Sequence, residues 1–253
     1  MDTLNPRHIA EGDGTPEAEW LDWLCRQALP CMAVEGLVQP AERAVVIAPH
    51  PDDEVLAVGG VMAQLAGLGR SLAVVAVTDG EASHPGSPAW PPARLAQQRI
   101  RETGAALQAL GADPLMMRLG LPDGGVTAHA ALLTDLLQHL LMPGDVVFTT
   151  WRFDGHPDHE ATALATRAAA QAVGARVFEV PVWGWHWAPV GDARMPWSNA
   201  CMVPLTPDSV RRKNAALQAF ATQLEPDASC AAAAVLRPST VQRAQRPFEV
   251  VFA

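Results

Sequence analysis

From residue 44 onward, short β-branched apolar runs alternate with longer Ala/Leu-rich stretches, the pattern of strand–helix units wound around a buried parallel sheet. The apolar runs predict strands over 44–48, 72–78, 115–119, 145–150 and 176–180. The stretches between them predict helices over 55–68, 93–110, 128–141 and 160–173, each ending near a Gly or Pro. Right-handed crossovers then give an α/β fold, a Rossmann-like three-layer sandwich with a mostly parallel sheet. Ahead of it, Trp20, Leu21, Trp23, Leu24 and Leu29 line one face of a helix predicted over 17–29, so residues 1–43 read as a helical extension packed on the core of 44–180. Beyond Pro181 the chain turns rich in Trp and Pro, with a helix predicted over 207–223 and a late strand over 248–252. This part, 181–253, is expected to complete the substrate side. No internal repeat or linker interrupts the pattern, and the 253 residues read as a single domain.

Composition narrows the partners. The chain has 18 Lys+Arg against 27 Asp+Glu, a formal net charge of −9, and no basic tract that would track a phosphate backbone, which argues against nucleic acid. Pro, Gly or a charge breaks every apolar stretch short of the roughly 20 residues that a membrane span needs. Residues 1–30 carry acidic and Trp positions where a secretory signal would be apolar, and the 4 cysteines form no CxxC pair. A reducing cytoplasm is the expected location, and a homo-oligomer is allowed for.

Two segments carry the candidate chemistry. After the first predicted strand, His50-Pro51-Asp52-Asp53-Glu54 sets an imidazole beside adjacent carboxylates; after the fourth comes His156-Pro157-Asp158-His159-Glu160, identical at four of five positions. Both stand at carboxyl ends of strands, where open parallel sheets bind ligands. His50 and Asp53, three residues apart, can converge on one ion while Asp52 points elsewhere, free to take a proton from the attacking water. His159 can complete the triad, leaving His156 to stabilise an oxyanion or protonate a departing amine, with Asp158 accepting from His156 and fixing its tautomer. Zn²⁺ suits imidazole and carboxylate donors, with another divalent ion such as Fe²⁺ as the alternative. Two blander readings stand beside these: the acidic residues cap the following helix, or His156 is a fourth ligand that closes a structural site.

Together these segments resemble the two signature motifs of the PIG-L/LmbE family, which includes N-acetylglucosaminyl-phosphatidylinositol de-N-acetylase and the deacetylases of mycothiol and bacillithiol biosynthesis. The likeness extends, less specifically, through Thr78-Asp79-Gly80-Glu81, Arg99 with Glu102, and Leu121-Pro122-Asp123-Gly124. It implies a Rossmann-like fold, zinc on the residues matching His50, Asp53 and His159, a base matching Asp52 and an assisting imidazole matching His156. The implied reaction removes the acetyl group from an N-acetylglucosamine-type amino sugar glycoside or conjugate. Asp79, Arg99 and Asp123 are candidates for sugar contacts by the same analogy. Some relatives place a tyrosine two residues before the first histidine of the second motif to polarise the substrate carbonyl; this chain has no tyrosine, and Asp154 stands there.

The run 181–187 alternates aromatics at strand spacing, so that Trp185 and its neighbours would stack on a sugar or else fill the core or an oligomer contact, with His186 on the opposite parity near a substrate hydroxyl. Rival readings are an amidase acting on a larger amide conjugate and a non-catalytic metal-binding Rossmann-like domain. A nucleotide-binding variant of the latter lacks the Gly-rich turn after its first strand, where carboxylates would repel a pyrophosphate.

Overall fold

The strands form where β-branched and small apolar residues run together, and the three central ones are buried on both faces apart from their first residue or so. The computed structural model describes residues 7, 9 and 12–253. Along the chain lie α1 (Glu17–Arg26), α2 (Val34–Leu37), β1 (Arg43–Ala48), α3 (Asp53–Gly67), β2 (Ser71–Ala76), α4 (Pro92–Leu110), β3 (Leu115–Arg118), α5 (Ala130–Leu140), β4 (Val146–Thr150), α6 (Pro157–Val173) and β5 (Arg176–Val180). There follow α7 (Gly184–Trp187), β6 (Ala200–Pro204), α8 (Pro207–Leu217), α9 (Ala221–Leu224), α10 (Pro238–Ala244) and β7 (Phe248–Phe252).

These strands make one sheet of order β3-β2-β1-β4-β5-β7-β6, parallel from β3 to β5 and antiparallel at β7 and β6. Alternate side chains of β1 feed opposite layers, as the two-residue period of a strand requires. Val46 packs with Val74, Phe148 and the apolar faces of α3, α4 and α8. Val45 and Ile47 pack with Val75, Val147 and the faces of α5 and α6. A third cluster joins Trp20 and Leu24 of α1 to Trp151, Trp185, Trp187 and Phe252, so the leading helix is fastened to the Trp-rich part.

The expected sandwich is present, with differences that have local causes. The Trp run is not extended: residues 184–187 wind into the single turn α7. The helix expected over 207–223 breaks between α8 and α9, and β6 and α10 were not anticipated. Each is short, and the alternation in β6 is obscured by Ala200, Cys201 and Pro204. α6 begins at Pro157, ahead of its expected start, because proline suits the first helical position. Among the described residues no helix is long and apolar enough to cross a membrane.

Helix α3, which carries Asp53, is kinked at Val58 (φ −135°, ψ 25°). Two backbone N–H groups there, Gly60 and Val61, donate to the Glu249 carboxylate of β7 at 2.7 and 2.9 Å. Lys213 of α8 neutralises that carboxylate at 2.7 Å and donates to the Leu56 carbonyl at 3.2 Å. Both ions are buried, so the pair replaces the hydrogen bonds that the kink removes and fixes the first turns of α3 against the sheet. Lys213→Met strands a buried carboxylate and is expected to cost ~3–5 kcal/mol, read as the shift in urea midpoint at unchanged slope; a loss below ~1 kcal/mol would show that the pair behaves as a surface ion pair.

Candidate active site

The strand order reverses between β1 and β4, and the crevice at their carboxyl ends receives both motif segments. Leaving β1, the chain is pinned to the end of β2, where the Thr78 N–H and hydroxyl donate to the Pro49 carbonyl at 3.1 and 2.9 Å. Asp52 then adopts φ 121°, ψ −30°, a strained conformation for a residue with a side chain, costing on the order of 1–3 kcal/mol. Arg99 of α4 braces the turn: its guanidinium donates to the Pro51 carbonyl, to the Gly80 carbonyl at 3.0 Å and to Asp52 Oδ2 at 3.2 Å. The Asp52 carbonyl opens α3 by accepting from Val55 and Leu56, yet its side chain makes no capping bond. The strained turn therefore spends Asp52 on the cavity and not on the helix end. Burial pushes its carboxyl up to about 7, against the pull of Arg99 and with a further push from Asp53. Glu54 accepts from the Asp52 N–H at 3.1 Å, and burial together with the Asp52 charge raises it to about 8.

In the second turn His156 is the N-cap of α6, its Nδ1 accepting from the Asp158 N–H at 3.2 Å. The ring proton is thereby placed on Nε2. Burial, with His159 and His50 beside it, holds this imidazole down to about 3, hence neutral. His159 is fully buried and donates from Nδ1 to Asp154 Oδ2 at 2.8 Å. With Nδ1 held by Asp154, Nε2 is the nitrogen left to ligate an ion that displaces its proton; it has no hydrogen-bond partner among the described residues and lies 3.2 Å from Asp53 Oδ2. His50 mirrors it, with Nε2 at 3.3 Å from Asp158 Oδ2 and 3.2 Å from Asp123 Oδ1, and Nδ1 at 3.3 Å from Asp53 Oδ2.

Two buried imidazoles, each anchored on its outer nitrogen by carboxylate, thus aim their remaining nitrogens at one carboxylate oxygen. These donors could hold a divalent cation, with carboxylates behind both imidazoles. Nitrogens of His50, His156 and His159 also fall within 4.8 Å of one another, but the capping bond of His156 sets it apart from the pair that meets at Asp53. The electrostatics agree. Burial would lower His159, yet Asp53 and Asp154 raise it to about 9; His50 is raised well above the usual range against burial by Asp123, Asp158 and Asp53. Asp53 is held well below the carboxylate range, burial being outweighed by His159 and His50. The surroundings favour positive charge at this point.

A cavity of about 320 Å³ opens over these residues, lined by His50, Asp52, Asp53, His156 and His159 and by Leu56, Trp183, Gln223, Val235 and Leu236. Of the residues expected to touch substrate, Arg99 and Asp123 reach it, the first engaged with the Asp52 turn and the second with His50 and the Ala82 N–H. Three do not. Asp79 pairs with Arg118 at 2.6 Å away from the cavity. Trp185 packs edge-on to Trp20 at 4.9 Å with Arg246 over its ring, and His186 is buried with its carbonyl accepting from Thr15. The helical turn of α7 removes both from the cavity, and Trp183, just before it, lines the cavity instead. Asp158 also serves differently: its carboxylate faces His50, not His156, and accepts from the N–H groups of Gly124 at 2.7 Å and Val126 at 3.1 Å. The sequence marks Asp154 only as standing where some relatives carry a tyrosine, and Trp183 only as one aromatic of the run 181–187.

Residues 45–170 match the model of the GlcNAc-PI de-N-acetylase family, PIG-L. A 1D-myo-inositol 2-acetamido-2-deoxy-alpha-D-glucopyranoside deacetylase from Mycolicibacterium gilvum (strain PYR-GCK) is 29% identical over 168 residues, covering 56% of this chain and 58% of that protein. The match therefore spans little more than half the length of that curated relative. Among solved structures, the conserved protein TT1542 from Thermus thermophilus aligns with a TM-score of 0.54 at 28% identity over 72% of this chain and 80% of its own. The A40926 pseudoaglycone deacetylase Dbv21 aligns with a TM-score of 0.58 at 26% identity over 83% and 96%. The matched segment begins in β1, ends in α6 and contains both motif turns, and the chain accordingly belongs to the PIG-L family.

Proposed function

We propose that this protein is a metal-dependent N-deacetylase that hydrolyses the acetamide of an N-acetylglucosamine-type glycoside or conjugate. The observation that carries the reading is the meeting of His50 Nδ1 and His159 Nε2 at Asp53 Oδ2, with the Asp52 carboxylate beside it released from helix capping. The named activity of the curated relative and of Dbv21 supports the reaction class, and the acetamido sugar in the relative's name supports the substrate class. A purely structural metal site gives no reason to strain Asp52 away from the helix end.

His50, Asp53 and His159 would hold the ion, Zn²⁺ by donor type or Fe²⁺ as the alternative. When bound, it supplies Lewis acidity and makes hydroxide available near neutral pH. Asp52 takes the proton of the attacking water. A carboxyl poised near 7 can hold that proton and then pass it to the departing amine nitrogen. His156, neutral and protonated on Nε2, donates a hydrogen bond to the oxyanion of the tetrahedral intermediate and is not the acid, since its Nδ1 is committed to the Asp158 N–H. Bond breaking leaves acetate and a free amino sugar.

The reading is tested by acetate release from a panel of N-acetylglucosaminyl glycosides. Asp52→Asn is expected to lower kcat by ~10²–10⁴-fold with bound metal unchanged. His156→Gln should cost ~10²–10³-fold in kcat, again without loss of metal. Chelation should abolish release and added Zn²⁺ restore it. Silence across the panel from protein that holds its metal would overturn the acetyl-sugar assignment in favour of a larger amide.

A further inference from the structure

We propose that Asp154 is a positioning residue that sets the tautomer of the metal ligand His159 and ties that ligand to the cavity wall at Trp183; this rests on the ligand assignment above. Its side chain is fully buried and does not line the cavity. Four donors converge on it. His159 Nδ1 and the Trp183 N–H donate to Oδ2 at 2.8 and 3.0 Å, and the N–H groups of Val182 and Gly184 donate to Oδ1 at 2.9 and 2.8 Å. A carboxylate offers about four lone-pair sites. All are taken, so Asp154 has no capacity left for a substrate oxygen, and it does not replace the tyrosine that some relatives carry at this place.

The arrangement does something else. Three successive N–H groups at the entry to α7 wrap one carboxylate, an anion-binding nest built from backbone. The Asp154 carbonyl adds a bond from Trp187 Nε1 at 2.7 Å, so the loop and α7 are joined at both ends. Gly155, at φ 96°, permits this approach, since a Cβ there would meet Trp187 Nε1 at 2.9 Å. The carboxylate that orients His159 thereby also places Trp183, whose side chain faces substrate space. Ligand and wall share one anchor, and movement of one strains the other.

Asp154→Asn separates this role from simple packing, because the amide is isosteric but presents one donor. With its NH₂ at the Oδ2 place, His159 Nδ1 must accept, which moves the ring proton to Nε2 and opposes metal binding. With the amide reversed, the NH₂ meets two N–H donors from 182 and 184. The expected result is Zn²⁺ affinity weakened roughly 10–100-fold in chelator competition, in a variant whose circular dichroism is that of the wild type. In the zinc-loaded wild type, ¹⁵N spectra should show one histidine with a slowly exchanging Nδ1 proton and none on Nε2; this second measurement decides if the variant fails to fold. Wild-type affinity in folded Asp154→Asn, or His159 protonated on Nε2 in the zinc-loaded protein, overturns the proposal. Failure of the deacetylase reading alone would appear as absent acetate release with the affinity difference intact.

Discussion

Everything at this site depends on the problem posed by Asp53, a carboxylate buried at the bottom of a cavity with Asp52 and Glu54 as neighbours. An ionised carboxylate in such surroundings is untenable without compensating positive charge. The protein answers with two imidazoles whose outer nitrogens are held by Asp154 and by Asp158 with Asp123, so that their inner nitrogens lie against Asp53. A divalent cation that displaced the imidazole protons would leave Asp53 compensated, and burial of Asp52 beside it produces a carboxyl poised near neutrality. Ligand geometry and base strength are two consequences of one electrostatic arrangement.

The fold supplies the rigidity this requires. β1 and β4 are adjacent, in register from Ala44–Val146 to Ile47–Thr149, so the turns that follow them are delivered side by side. α3 leaves the first turn and α6 the second, and each is secured far from the cavity. The kink in α3 is held by Glu249 and Lys213 from the last strand and α8, which lie outside the segment shared with the family model. The C-terminal part is thus not an appendage: it braces the helix that bears Asp53 and supplies Trp183, Gln223, Val235 and Leu236 to the cavity.

How much of this could be read from the chain varies with the range of the physics involved. The inner parallel strands and the helices between them declare themselves through periodicity, because burial on both faces demands unbroken β-branched runs such as Val45-Val46-Ile47; the edge strand β3, Leu115-Met116-Met117-Arg118, is largely exposed. The residues of the two turns were legible for a chemical reason, since few structures need His and Asp crowded just past a strand. What was hidden depended on ring orientation and on single helical turns. Nothing in His-Pro-Asp-His announces that Asp158 faces an imidazole from the other turn, 108 residues earlier in the chain. Trp183, and not Trp185, lines the cavity because four residues coil where alternation suggested a strand.

The absent tyrosine shows how such a substitution should be weighed. By type, the aspartate at 154 stands where some relatives carry a tyrosine that polarises the substrate carbonyl. Geometry excludes that role for Asp154, because four groups already converge on its two oxygens and the side chain does not line the cavity. In the proposed reaction a bound cation and His156 would stabilise the oxyanion, the His156 proton being fixed on Nε2 by the same bond that caps α6. A preorganised neutral donor needs no reorganisation as charge develops, which is the condition under which such groups contribute most. In the proposed reaction the labour is divided accordingly: Asp52 would move the proton, His156 would meet the developing charge, and Asp154, without lining the cavity, would hold His159 in place.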